Sequence, residues 1–272
     1  MTDERAPSTR LRARRPFALA VALILLGLAV AAGVGFWYLF GRSTPAPVAL
    51  DPSAGPSPSA VATAAPTASP SSSGPAAAPS EAPSSSEPLD GTWSVDRSIG
   101  SFADFSGSFV GYRVQEVLVG VGAATAVGRT PDVGGSFVLD GTRVTEASFE
   151  ADLRTLRSDS SMRDGQLRRQ GLETDRFPTA TFVLTDPIDL GRRPTVGEVL
   201  RVEATGDLTI HGVTRRVVFP LEARLNADGT ITIAGSLEVE FADFGMAAPE
   251  SFRVLSVDPR AVIELQLQLR RG

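Results

Sequence analysis

The residue types that carry most protein chemistry are scarce in this chain. There is no cysteine, which excludes disulfides, a thiol nucleophile, thiolate zinc sites and a lipid-modified N-terminal Cys. There is one histidine, His211, so no multi-histidine metal site can form within one chain. All 26 basic residues are arginine. His211 continues the polar phase of an alternating segment (Glu203, Thr205, Asp207, Thr209) and precedes Gly212. That spacing predicts a turn histidine bonded to backbone, facing away from the apolar phase, instead of a general base, which must reach a positioned substrate. No G-x-S-x-G elbow accompanies it. Most carboxylates fall in the polar phase of alternating segments, which gives no support to a paired acid/base site. Calcium or magnesium held by carboxylates alone is compatible with the composition, but there is no EF-hand-like loop. No cofactor and no metal are implied, and the expectation is a binding protein, not an enzyme. Arg163 and Arg168, with Arg169, are candidates for an anionic head group, because a guanidinium offers two parallel donors to phosphate oxygens.

The elements that would position these residues differ along the chain. Phe17 to Phe40 is 24 residues without a charge. As a helix it would span roughly 36 Å, enough for a hydrocarbon core of about 30 Å. Arg10, Arg12, Arg14 and Arg15 precede it and Arg42 follows, so the positive-inside rule predicts a cytoplasmic tail (1–16), a membrane helix (17–40) and an extracytoplasmic remainder. Phe36, Trp37, Tyr38 and Phe40 form an aromatic end suited to the outer interface. The length and these bulky residues fit a retained anchor of a bacterial membrane better than a cleaved signal peptide. Residues 41–88 are mostly Ala, Pro, Ser, Thr and Gly, a composition that cannot offset its ordering entropy and predicts a disordered linker.

Residues 89–272 alternate apolar and polar side chains, the mark of strands with one buried face. One phase holds Ala147, Phe149, Ala151 and Leu153; further sets are Val202, Ala204, Leu208, Ile210, then Val217, Phe219, Leu221, Ala223, Leu225. Ile231, Ile233, Leu237, Val239, Phe241 and Ala261, Ile263, Leu265, Leu267, Leu269 follow. Shorter candidate strands are 92–96, 108–118, 125–129, 136–139 and 179–185. Asn226-Ala227-Asp228-Gly229 and Asp140-Gly141 read as turns. Pro220 in the polar phase predicts an edge strand or a bulge. Residues 158–172 break the alternation and predict a short helix capped by Ser158 or Asp159. This part holds 20 Arg against 26 Asp and Glu, with no basic cluster, which argues against nucleic acid.

About eight long antiparallel strands with one apolar face favour an all-β barrel, filled by side chains or holding one slender ligand. The predicted interior, and with it the candidate apolar ligand site, is Phe109, Phe137, Phe149, Phe182, Leu208, Phe219, Leu221, Phe241 and Phe244. An apolar lining of that kind suits lipid. A filled barrel presenting its outer surface to an envelope partner is the alternative. The sequence sets no oligomeric state.

Four spaced segments then carry a resemblance. Arg163-Asp164-Gly165-Gln166-Leu167-Arg168 with Leu172 and Phe177-Pro178-Thr179-Ala180-Thr181-Phe182 is similar to the central pattern of the YceI-like family. Gly206-Asp207-Leu208-Thr209-Ile210-His211-Gly212-Val213-Thr214-Arg215 resembles its G-x-L-T-I-H-G-V-T signature. Asp243-Phe244-Gly245-Met246 resembles its late D-F-G segment, and Thr92-Trp93-Ser94-Val95-Asp96 opens the domain. The resemblance runs from about Leu89 to Leu269. It implies an extended lipocalin-like antiparallel β-barrel that binds long apolar chains such as polyisoprenoids outside the cytoplasm. The chain departs from the common pattern in its anchor and linker, and in Tyr112 to Pro131, rich in Val, Gly and Ala. There Gly120, Gly122, Ala123 and Ala124 could either widen the cavity or form a tight loop.

Overall fold

The computed structural model describes residues 44–50, 89–249 and 251–272. The predicted tail (1–16), membrane helix (17–40) and most of the predicted linker lie outside the described residues. The chain divides into two units, residues 1–45 and 46–272, and the second holds all the described strands.

These strands are β1 (Gly91–Val95), β2 (Phe109–Leu118), β3 (Gly122–Thr130), β4 (Val133–Asp140), β5 (Arg143–Asp152), β6 (Arg157–Ser158), β7 (Thr179–Leu184), β8 (Ile188–Asp189), β9 (Val199–Ile210), β10 (Val213–Leu225), β11 (Ile231–Glu240) and β12 (Val254–Arg271). A single helix, α1 (Ser161–Arg169), and two 3-10 turns complete the described elements. The ladder runs β1-β4-β5-β7-β9-β10-β11-β12, and β12 pairs back onto β1, which closes an eight-stranded antiparallel barrel. Closure removes the exposed edges that such strands would otherwise offer. β2, β3 and β6 continue the wall from the Val254 to Gln266 part of β12.

The predicted turns form as read: Gly229 adopts φ 78° in the β10–β11 turn, and its N–H donates to Asn226 O at 3.1 Å. The helix is capped one or two residues later than predicted, by Ser160, whose hydroxyl accepts from the Arg163 N–H. β10 is not an edge strand over its whole length, but the reading of Pro220 as an edge or bulge residue holds locally, since Val213 to Pro220 lack a β11 partner. The strand pairs with β9 throughout, but with β11 only from Leu221 onward. Pro220 thus sits where the second ladder stops. β12 starts seven residues earlier than the alternation suggests. Its register against β2 slips at Leu255 and again across Asp258-Pro259-Arg260, and these bulges erase the period-2 signal.

Ala46–Leu50, inside the predicted linker, is packed on the outer wall. Leu50 is only 6% exposed and its N–H donates to Glu222 on β10 at 2.9 Å. At the other end Ala46 O accepts from Arg129 on β3 at 3.2 Å.

Candidate functional site: an apolar channel through the barrel

The inward phases of the strands enclose a cavity of about 210 Å³. It is lined along β9 from Leu200 to Ile210, roughly 33 Å of strand at about 3.3 Å per residue. Small volume over that length describes a narrow channel with room for one slender chain. Its wall is apolar nearly throughout; the polar residues on its border are Tyr112, Glu150, Thr181, Glu198 and Arg224, of which Glu150, Thr181 and Arg224 hold outward strand positions. The barrel is therefore hollow, not filled.

Glycine sets the width where aromatic rings cross the interior. A Cβ on Gly206 would stand 2.5 Å from the Phe182 ring, and one on Gly235 would meet Leu221 at 2.6 Å. Both glycines occupy inward positions, so these side chains lie flat over neighbouring backbone. Phe182 meets Phe219 edge-on, with ring centroids 6.3 Å apart. At one end Trp93 stacks on Phe137 and packs with Leu225, Ile231, Leu267 and Leu269; its indole N–H donates to Leu89 O. At the other, Phe244 packs with Leu208, Ile210 and Val239, backed by Leu172 and Met246.

Six of the nine residues predicted for the apolar site line the channel: Phe137, Phe149, Phe182, Leu208, Phe219 and Leu221. Three lie elsewhere. Phe109 is on the outer face of β2, 1% exposed, under Phe105 and beside the Arg129 guanidinium, which stands 4.3 Å from its ring centroid. Its burial comes from the Ile99–Ser108 loop folding over the outer wall, which strand phase does not reveal. Phe241 follows β11 in a 3-10 turn and packs against Val114, Ala126 and Ala261. Phe244 closes the channel end as part of that turn without lining it.

The arginines are not a head-group pair. Arg163 is held by Glu116 at 2.6 Å and by Asp159, four residues back on the same side, so its fork is already occupied. Arg168 stands exposed on α1. Neither borders the channel. His211 sits in the β9–β10 turn at φ 54°, with Nδ1 3.3 Å from Phe244 O and its ring 4.2 Å from that of Phe177. Its Nε2 lies 3.5 Å from Glu173 Oε1, without a hydrogen bond. It locks the turn to the Phe244 plug, in accord with the turn reading, and does not touch the channel. Among the described residues no group of His, Cys, Asp and Glu is arranged to hold a metal ion.

The structure adds residues that alternation alone did not single out. Tyr112, inward on β2, borders the channel, its ring lying over Gly128 on β3; its buried hydroxyl has no hydrogen-bond partner, and burial pushes its phenol pKa up from the ordinary value. Its place as a polar exception in an apolar phase was the available signal. At the Leu225 end, Glu198 accepts from Arg192 and from Thr195 Oγ1, and these hydrogen bonds hold its pKa down to about 2.

A closed antiparallel barrel with a short helix and an apolar interior channel is a lipocalin-like architecture. The YceI-like domain model matches residues 100–269, and the chain belongs to that family. It is 32% identical over 136 residues to a UPF0312 protein of Shewanella denitrificans, a match covering 46% of this chain and 66% of that protein, just under two thirds of its length. It is 27% identical over 152 residues to a UPF0312 protein of Pseudomonas putida, covering 52% and 72%. Among solved structures, a polyisoprenoid binding domain from Saccharophagus degradans, implicated in plant cell wall breakdown, superposes with a TM-score of 0.53 at 20% identity. That superposition covers 66% of this chain and 98% of the other, and it supports the fold.

Proposed function

We propose that the barrel binds one long apolar molecule, an isoprenoid or similar lipid, lengthwise in its channel and sequesters or carries it. The observation that carries this reading is the channel itself, narrow, continuous and apolar from Leu200 to Ile210. Each buried CH₂ contributes roughly 0.8 kcal/mol before ordering costs, so a chain of several isoprene units binds without a specific polar contact. The description of the Saccharophagus domain as polyisoprenoid-binding supports the same ligand class. In this reading the protein acts by binding: His211 and Arg163 hold structure at the β9–β10 turn and at α1. The uncharged run at 17–40 would hold the barrel on the outer side of a bacterial membrane.

Native mass spectrometry of the full chain in detergent, with added polyprenol as probe, tests this. A single retained polyprenol, lost in Ala223→Phe, which narrows the channel, is the expected result. A chain that takes up no polyprenol and yields no lipid on organic extraction would refute it.

A further inference from the structure

Of the Val/Gly/Ala-rich stretch singled out in the sequence, Tyr112 to Pro131, only Tyr112 borders the channel. The stretch forms the β2–β3 turn beyond the Phe244 end, and residues 117–128 carry no charge. Val119 and Val121 project from it, 53% and 47% exposed. The start of β12 lies alongside, because the Val119 N–H donates to Arg253 O at 2.9 Å. Phe252 there is 81% exposed and Leu255 69%. Leu255 is the unpaired residue of the bulge between Val254↔Leu118 and Ser256↔Val117, and that bulge places it outside the ladder. Arg253 stands 5.7 Å from the centre of the Phe252 ring. Residues 251–257 contain no carboxylate, and Glu116, the nearest on β2, is buried against Arg163.

Four exposed apolar side chains on two neighbouring loop tips, with Arg253 beside them and Asp258 tied to Arg260, suit a fluid lipid surface: apolar groups enter the acyl boundary and the arginine meets head-group phosphates. Chain length brings such a surface within reach. Ala46 is fixed at Arg129, seven residues along β3 from Gly122, roughly 23 Å from the tip. Phe40 precedes Ala46 by six residues, at most about 20 Å of extended chain.

We propose that the β2–β3 tip, together with Phe252 and Leu255, dips into the outer leaflet of the membrane that anchors residues 17–40. The proposal rests on the anchoring reading, not on the identity of the channel ligand. It changes the role of residues 51–88. With Leu50 docked at Glu222 and Leu89 held by Trp93, that tract joins two points on the barrel and does not separate barrel from membrane.

The absence of cysteine makes the test clean. The full chain carries Val121→Cys, or Ala227→Cys in the opposite turn, labelled with an environment-sensitive fluorophore. Each is reconstituted in phosphatidylcholine/phosphatidylglycerol vesicles with nitroxide-labelled lipid. Emission at position 121 shifts to the blue and is more than halved by the quencher, while position 227 stays water-like. Adding Phe252→Asp and Leu255→Asp returns position 121 to the water-like state. A chain that floats with the vesicles while position 121 behaves like position 227 overturns the tip and leaves the anchor standing. A chain that does not float overturns both. Polyprenol uptake in detergent is measured separately, so failure of the channel reading is distinguishable.

Discussion

The two faces of β12 contrast in a way that strand alternation cannot express. Inward, Ile263, Leu265 and Leu267 line an apolar channel that stays open. Outward, Glu264, Gln266 and Gln268 are polar, yet Glu264 is 1% exposed and Gln268 8%. The Ile99–Ser108 loop covers that outer wall: Gln266 Nε2 donates to Phe105 O and Gly107 O, and Gln268 Nε2 to Ser106 O. Beneath it Glu264 accepts from Arg113 at 2.8 Å and from Arg129 at 3.1 Å, while Phe105 and Phe109 flank the Arg129 guanidinium. Across the barrel the outer wall meets water; Val218 is 48% exposed and Arg216 pairs with Asp186 at the surface. The inner wall has poorly filled space and almost no polar groups. The covered outer wall is dry, charged and paired. Stability should depend most on the latter, and ligand uptake on the former.

The largest expected break is Glu264→Ala, which leaves two buried guanidinium groups without their carboxylate. It should cost about 3–5 kcal/mol in a denaturant titration. A loss under 1 kcal/mol would mean that water reaches this wall in solution. Leu50→Ala comes next, at about 2–3 kcal/mol, toward the lower end for a buried leucine, whereas Val218→Ala on the open wall should stay within about 0.5 kcal/mol. Equal small effects would show that Ala46–Leu50 does not hold its place.

Inside, Gly206→Ala drives a methyl into the Phe182 ring and should cost about 1–3 kcal/mol while narrowing the channel for polyprenol. Tyr112→Phe removes a buried hydroxyl that has no hydrogen-bond partner. It should leave stability unchanged or raised by up to about 1 kcal/mol. Polyprenol uptake should change by less than tenfold; a marked loss of stability would reveal a missed partner for the hydroxyl.

The smallest effect concerns Glu198 at the exposed channel end. Its folded pKa is depressed below the ordinary value of 4.5 to about 2, by hydrogen bonds from Arg192 and Thr195. Its contribution is therefore present above pH 4.5 and lost as pH falls toward 2. The stability gap between the wild type and Glu198→Gln should close over that window; a gap that widens on acidification would contradict the sign.

The inward set was legible because burial on one side imposes period 2, and Ala147, Phe149, Ala151, Leu153, Val202, Ala204, Leu208 and Ile210 all reach the channel as read. Closed antiparallel architecture followed from strand number and length. Phe109 was misplaced because an aromatic in a strand reads as inward unless something else covers it, and the covering loop lies in a turn-rich stretch with no periodic signal. Phe241 and Phe244 were misplaced because the strand phase ends at Glu240, where the chain enters a 3-10 turn. Arg163 was read as available, since its partner Glu116 is 47 residues away and in another strand's polar phase.

By itself, then, the sequence determined the anchor-like run, the barrel and the side chains of its regular strands that face the axis, since each rests on local composition or on a repeat of two. Tertiary structure decided the rest: whether the interior is full or hollow, which polar residues are dry, and where Leu255 and Ala46–Leu50 lie. These depend on how loops and bulges fold back over strands far away in sequence, and no local pattern encodes that distance.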